Sequence, residues 1–306
     1  MVKKQISRKE FVTKALAGIA GIGLGSKKFT GLISKREDLR SLGSTGIMVS
    51  PIAFGAPRTY DESLIKYALA NGINFIDTGR AYGNGNNEKL VGKAVAGIRT
   101  KVVIQSKIRL EANELPSKGK GKKGSAEIKD ALSSKLEASL KALNTDFIDI
   151  LLYHEALDEN LLFHQETMKF FSDMKNAGVI RAHGFSTHND YMHLPDRNNS
   201  ELFYNVAMVP FNHKGSFVHS ITGSYFEWDQ NKLISILTEA GSKGIGVIAM
   251  KTCSGGKYSP GPGIEPSYKE AVLWVLQNKF ISSASVAMLN FEQIDENISW
   301  LKDQTF

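Results

Sequence analysis

Eight times between Val49 and Trp300, a short β-branched or apolar run is followed by a segment of helical period. The runs are VSPIAF (from Val49), NFID (Asn74), KVVIQSK (Lys101), FIDILLYH (Phe147), IRAHGFS (Ile180), VAMVPF (Val206), GIGVIAMK (Gly244) and SASVAML (Ser283). Helical segments are expected over about Glu62–Ala70, Glu88–Val95, Ala126–Leu143, Gln165–Ala177, Gln230–Lys243, Tyr268–Gln277 and Phe291–Leu301, with a shorter one after the fifth run and a looped stretch after the sixth. The dipeptide Asn71-Gly72 and the triplet Asn176–Gly178 fit helix ends before the next strand. Such alternation produces a parallel sheet covered by helices. Eight units in this length predict an α/β fold of the (β/α)8 TIM-barrel type, with a doubly wound open sheet as the alternative. Residues 37–306 are assigned to that barrel and residues 1–36 to a separate leader and linker.

The single cysteine, Cys253, excludes an internal disulfide, a four-cysteine zinc site and an iron–sulfur cluster, and it is expected to be inert. The histidines do not fall at H-E-x-x-H spacing, so no metal is expected. No apolar run is long enough for a membrane span. The net charge of +7 is misplaced for nucleic acid: Met1–Arg36 holds nine Lys/Arg against Glu10 alone, which is +8 and leaves −1 for the remainder. That first segment has a basic start, the stretch SRKEF from Ser7 and a mild apolar run from Ala15 to Gly25. It resembles a twin-arginine export signal with Lys9 in place of the second arginine. The resemblance implies the twin-arginine export machinery as a partner and a periplasmic or exported location; the alternative is a frayed amphipathic helix on a cytoplasmic protein.

In a barrel of this kind, polar residues at the carboxyl ends of strands face the active site. The second strand ends on Asp77, with Tyr82 five residues on; the third ends on Lys107 and the fourth on His154. An ammonium beside a phenol is expected to lower its pKa, a carboxylate to hold the ammonium, and an imidazole to polarise a carbonyl oxygen. The set contains no nucleophile and suits carbonyl reduction by a hydride from a bound cofactor. Tyr82–Glu88 (YGNGNNE) comes near a dinucleotide fingerprint but carries Glu88 at the third glycine; a turn with Asn86 or Asn87 capping the next helix is the better reading. The basic stretch Ser117–Gly124 is expected as a solvated loop, the alternative being a lid over an anionic cofactor. Tyr60, Phe217, Tyr225 and Trp228 suggest an aromatic rim.

The stretches Arg40–Gly55, Gly72–Val95, Ser139–His154, Gly184–His188 and Gly244–Lys251 together resemble the aldo-keto reductases, in order from about Leu39 to Trp300. The resemblance implies a nicotinamide cofactor, NADP or NAD, lying across the strand ends, and a small-molecule carbonyl or alcohol substrate. It implies that Tyr82 is the proton donor, Lys107 its partner, Asp77 the counter-ion of the lysine and His154 the carbonyl orienter. By the same resemblance, Ser186, Met250, Lys251, Glu296 and Asn297 would bind cofactor. The chain departs from the family pattern in the cofactor half. Thr187 stands for an asparagine, Met208 for a glutamine, Met250 for an aromatic ring, and Ala287, Met288 and Gln293 for the cations that grip a 2′-phosphate. A catalytically weak redox-sensing or binding barrel is therefore the alternative to an enzyme.

Overall fold

The computed structural model describes residues 39–111, 114, 121–156, 158–219, 222–253 and 268–302. The segment expected to be an export signal and the boundary at residue 37 lie outside them.

The eight runs form eight strands: β1 (Ile52–Gly55), β2 (Phe75–Asp77), β3 (Val103–Ile108), β4 (Ile148–Tyr153), β5 (Ile180–Ser186), β6 (Val206–Pro210), β7 (Gly246–Met250) and β8 (Ile281–Ala287). Every neighbouring pair is parallel, and β8 pairs with β1, so the sheet closes. The open-sheet alternative is thereby excluded. Helices α1 (Glu62–Ala70), α2 (Asn86–Ala94), α3 (Gly121–Leu143), α4 (Gln165–Asn176), α5 (His193–Glu201), α6 (Gln230–Ser242), α7 (Tyr268–Leu276) and α8 (Phe291–Lys302) follow the strands in turn. The first ends at Asn71 with Gly72 at φ 105°, and α4 is followed by Gly178 at φ 70°, the left-handed step that lets the chain turn into the next strand.

Two apolar clusters divide the work. One joins the outer strand faces to the helices, through Ile76, Ile104, Leu151, Phe185, Val209 and their neighbours. The other is the barrel interior, with Ala53, Phe75, Val103, Ile150, Leu152, Ala182, Val206, Met208, Ile248 and Met250. Leu42, Ile47 and Val49 belong to the interior cluster too. They come from a small antiparallel ribbon, Arg40–Ser41 with Met48–Val49, which plugs the end where the strands begin.

Three local expectations are corrected. Helix α3 begins at Gly121, so the last residues of the basic stretch are helical, lysine being a good helix former; residues 117–120 lie outside the described set. The stretch after β6 contains a hairpin, Ser216–Val218 with Tyr225–Glu227, closed by stacking of Phe217 on Phe226 at 5.0 Å. Neither Asn86 nor Asn87 caps α2, whose N-cap is Gly85. The Asn87 amide instead donates to Ala56 O at 2.7 Å, while its carbonyl accepts from Thr78 Oγ1 at 2.6 Å, tying the loop after β2 to the loop after β1.

Candidate active site

Strand alternation decides which side chains enter the barrel. Val103 faces inward, and so in step do Gln105 and Lys107; Ile150 and Leu152 lead in the same phase to His154. Asp77 lies two residues beyond the inward Phe75, and Ser186 continues the phase of Ala182. All five are buried, Lys107 to 1% exposure and His154 to 4%.

Burying an ammonium is costly unless it is paired and hydrogen-bonded. Lys107 Nζ makes a short ion pair with Asp77 Oδ1, donates to Thr78 O at 2.9 Å and donates to the Tyr82 hydroxyl at 3.2 Å. Asp77 is fixed in turn by Gln105 Nε2 at 2.7 Å and by Ser285 Oγ from β8 at 2.9 Å. The His154 ring meets Tyr82 edge-on, with centroids 5.5 Å apart. The four tetrad candidates therefore converge at the mouth where the strands end.

Burial tends to lower the pKa of Lys107, but Asp77 and then Tyr82 outweigh it and hold the lysine above its ordinary value. Burial pushes the Tyr82 phenol up, and the opposing pull of Lys107 does not prevail. The expected lowering of the phenol is thus present as one contribution and overturned in the balance, because a half-buried phenolate loses much of its water and also meets the Asp77 charge. Burial, then Lys107, Arg109 and His188, drive His154 well below its usual pKa, so the imidazole is neutral. Near neutral pH the site holds an ammonium, an intact phenol and a neutral imidazole, two donors flanked by a fixed cation.

The backbone around the mouth is strained. Of five non-glycine residues with left-handed φ among the described residues, Asn84, Glu155 and Lys251 border the site. Such conformers cost about 1–3 kcal/mol each and persist where surrounding contacts enforce them. Glu155, directly after His154, is held by its N–H to Ser186 Oγ at 3.2 Å and by an ion pair with Arg109.

The remaining candidates are spread around the rim. Ser186 is buried and its hydroxyl accepts that Glu155 N–H. Thr187 Oγ1 accepts from Asp190 N at 3.0 Å and caps a turn. Met250 ends β7 within the interior cluster, and Lys251 follows it, half-buried, with its ammonium 5.7 Å from the Phe217 ring. Burial and Arg58 lower the Lys251 pKa, and no carboxylate among the described residues pairs with it. On α8, Glu296 is exposed; Asn297 is buried, donates to Gln293 O at 2.7 Å and leaves its Oδ1 without a partner. Met288 is fully buried, and Gln293 Oε1 accepts from Leu289 N at 2.7 Å, so neither is poised to meet a phosphate. Burial raises the pKa of the Cys253 thiol, which disfavours the nucleophilic thiolate.

Gln105 and Ser285, which orient Asp77, were not anticipated. The inward phase of β3 signalled Gln105; nothing local signalled Ser285. The aromatic rim is corrected as well. Phe217, within the hairpin, and Trp228, just after it, are buried, whereas Tyr60 and Tyr225 are exposed. A cleft of about 380 Å³ reaches Lys107 and His154 between the loop after β2 and α3; Ala81, Ile108, Ser134 and Ala138 line it together with charged side chains, and Tyr82 does not.

Comparison with known proteins agrees with this architecture. Residues 55–272 match the model of the aldo/keto reductase family. L-galactose dehydrogenase of Arabidopsis thaliana is 26% identical, with 86% of this chain and 87% of the plant protein aligned. Aldo-keto reductase YhdN of Bacillus subtilis is 33% identical, but the match spans about half of each, 48% and 46%. Among solved structures, the holo form of aldo-keto reductase AKR11C1 from Bacillus halodurans superposes with a TM-score of 0.66 at 21% identity, over 88% of this chain and 92% of that one. An aldo/keto reductase from Klebsiella pneumoniae, solved with NADP and acetate, gives 0.63 at 18% identity over 86% and 89%.

Proposed function

The chain belongs to the aldo/keto reductase family, and from that premise we propose that it reduces an aldehyde or ketone to an alcohol, or runs the reverse, with a nicotinamide dinucleotide. The observation that carries this reading is the Tyr82 hydroxyl 3.2 Å from a Lys107 ammonium that is itself held by Asp77.

Tyr82 gives its proton to the substrate oxygen as negative charge builds there. Lys107 stabilises the phenolate left behind, and Asp77 keeps that lysine charged and in place. Neutral His154 donates to the same oxygen and orients the carbonyl. In oxidation of an alcohol the same groups act in the opposite sense.

A bound nicotinamide supplies or accepts the hydride. The residues at the mouth fit such a group. Met250 offers a thioether to a ring face. Lys251, with Arg58 nearby, provides positive charge that no carboxylate among the described residues pairs with, Ser186 a hydroxyl, and Asn297 a carbonyl on α8 with no partner among those residues. With Ala287, Met288 and Gln293 in place of cations, we favour NAD over NADP. A relative named L-galactose dehydrogenase supports a small, hydroxyl-bearing substrate. We further read residues 1–36 as an export leader, on the basic start and the apolar run that follows it.

Native mass spectrometry of the protein from separated periplasmic and cytosolic fractions tests both readings. The expected result is a chain in the periplasmic fraction that carries one nicotinamide dinucleotide, or takes one up when NADH or NADPH is added, NADH at the lower concentration. A chain confined to the cytosol defeats the export reading. Failure to bind either nucleotide defeats the oxidoreductase reading.

A further inference from the structure

Tyr82 sits on a loop that should not hold its shape unaided. Gly83, Asn84 and Gly85 follow it in three successive left-handed conformations, at φ 55°, 51° and 81°, and a non-glycine residue there is strained. The side chain that binds this loop is Arg80. Its Nη2 donates to Asn84 O at 3.0 Å, its Nη1 donates to Ala138 O on α3 at 3.0 Å, and Nη1 lies 2.7 Å from Glu88 Oε2. The guanidinium occupies the space over Gly85: a Cβ there would lie 0.8 Å from Nη2.

The other end of the clamp reaches the lysine strand. Glu88, in the first turn of α2, is fully buried, and its Oε1 accepts from Ser106 Oγ at 2.6 Å. Ser106 is the residue before Lys107. The Arg80 backbone N–H also donates to Lys107 O at 2.9 Å. One ion pair thus connects the loop carrying the phenol to the strand carrying the ammonium. The acid–base chemistry does not use it.

We propose that the Arg80–Glu88 pair, with its carboxylate buried and its guanidinium partly exposed, is a positioning device that sets the Tyr82 hydroxyl against Lys107 Nζ; the inference rests on the reading of Tyr82 as proton donor. Misplacing a reacting group by about 1 Å can cost a hundredfold in rate, and an untied loop gives that freedom. A purely structural pair would lower stability and act equally on every function of the fold.

The test uses the full chain with glyceraldehyde and the nucleotide that binds. Arg80→Met is expected to lower kcat about 10- to 100-fold, with the affinity for nucleotide unchanged. Arg80→Lys should lose less, since it keeps the charge without the fork. Gly85→Ala displaces the guanidinium and also strains the left-handed step at φ 81°, so it should lose at least as much as Arg80→Met. In a Tyr82→Phe background, Arg80→Met should cost nothing more, because a device acting through the phenol has nothing left to place. A second readout needs no turnover. Ultraviolet difference titration against Tyr82→Phe should show the raised phenol of Tyr82 moving back toward its ordinary range in Arg80→Met, as the ring loses its burial. If the wild type reduces no glyceraldehyde, the fault lies with the proposed reaction, and the titration still decides the role of Arg80. Wild-type kcat and titration in folded Arg80→Met and Gly85→Ala, or an equal loss in the Tyr82→Phe background, would overturn the inference.

Discussion

Replacing Tyr82 with phenylalanine is expected to remove about 10²- to 10⁴-fold of the turnover, the usual contribution of a placed general acid, while nucleotide binding is retained. The substitution takes one oxygen and keeps the ring, so the edge-on contact with His154 survives. What disappears is the only phenol within hydrogen-bonding distance of Lys107 among the described residues. Steady-state kinetics with a nucleotide titration on the same sample separates the two effects. A folded Tyr82→Phe protein with ordinary kcat would remove the acid assignment, and loss of nucleotide affinity in step with kcat would place Tyr82 in cofactor binding instead.

The second large effect concerns the ion pair beneath the phenol. Lys107 and Asp77 expose 1% and 3% of their side chains. Breaking a buried pair from one side strands a charge and costs about 3–5 kcal/mol. Lys107→Met should therefore lower both turnover and the free energy of unfolding, measured by denaturant titration. Gln105 and Ser285 would still donate to Asp77, which limits the damage without supplying a positive charge. Combining Lys107→Met with Asp77→Asn removes both charges, and most of the lost stability should return while turnover stays lost. If the double variant is no more stable than Lys107→Met, the pair is not the charge-compensating unit described above.

The barrel and most of its site could be read before any coordinates, for a specific reason. The period-two alternation that makes each strand also fixes which residues enter the barrel. Asp77, Lys107 and His154 are polar breaks in inward-facing apolar series, so their convergence follows from closure alone. The same logic does not reach Ser285. It is 208 positions from Asp77 and meets it because the sheet closes through β8 and β1, which no local pattern expresses. Asn87 looked like a helix cap because asparagine so often is one; the bond from Thr78 and the carbonyl of Ala56 claimed it instead. The hairpin after β6 carries only Gly223 as a turn signal and passed as an irregular loop. The pKa of Tyr82 was misjudged in direction because the charges around it can be inferred from sequence, whereas the depth of its burial depends on packing. Arg80 and Glu88 drew no attention as a pair, since their link is made through a turn of three left-handed residues.

The central claim is that this mouth transfers a hydride to a carbonyl carbon while Tyr82 protonates the oxygen. Incubation of the protein with glyceraldehyde and NADH doubly deuterated at nicotinamide C4, followed by mass spectrometry of the alcohol, tests it most directly. The account predicts glycerol carrying one deuterium on the former carbonyl carbon, formed far more slowly by Tyr82→Phe. Nucleotide oxidised with no deuterium in the product, or deuterated product formed equally fast without the phenol, would contradict it.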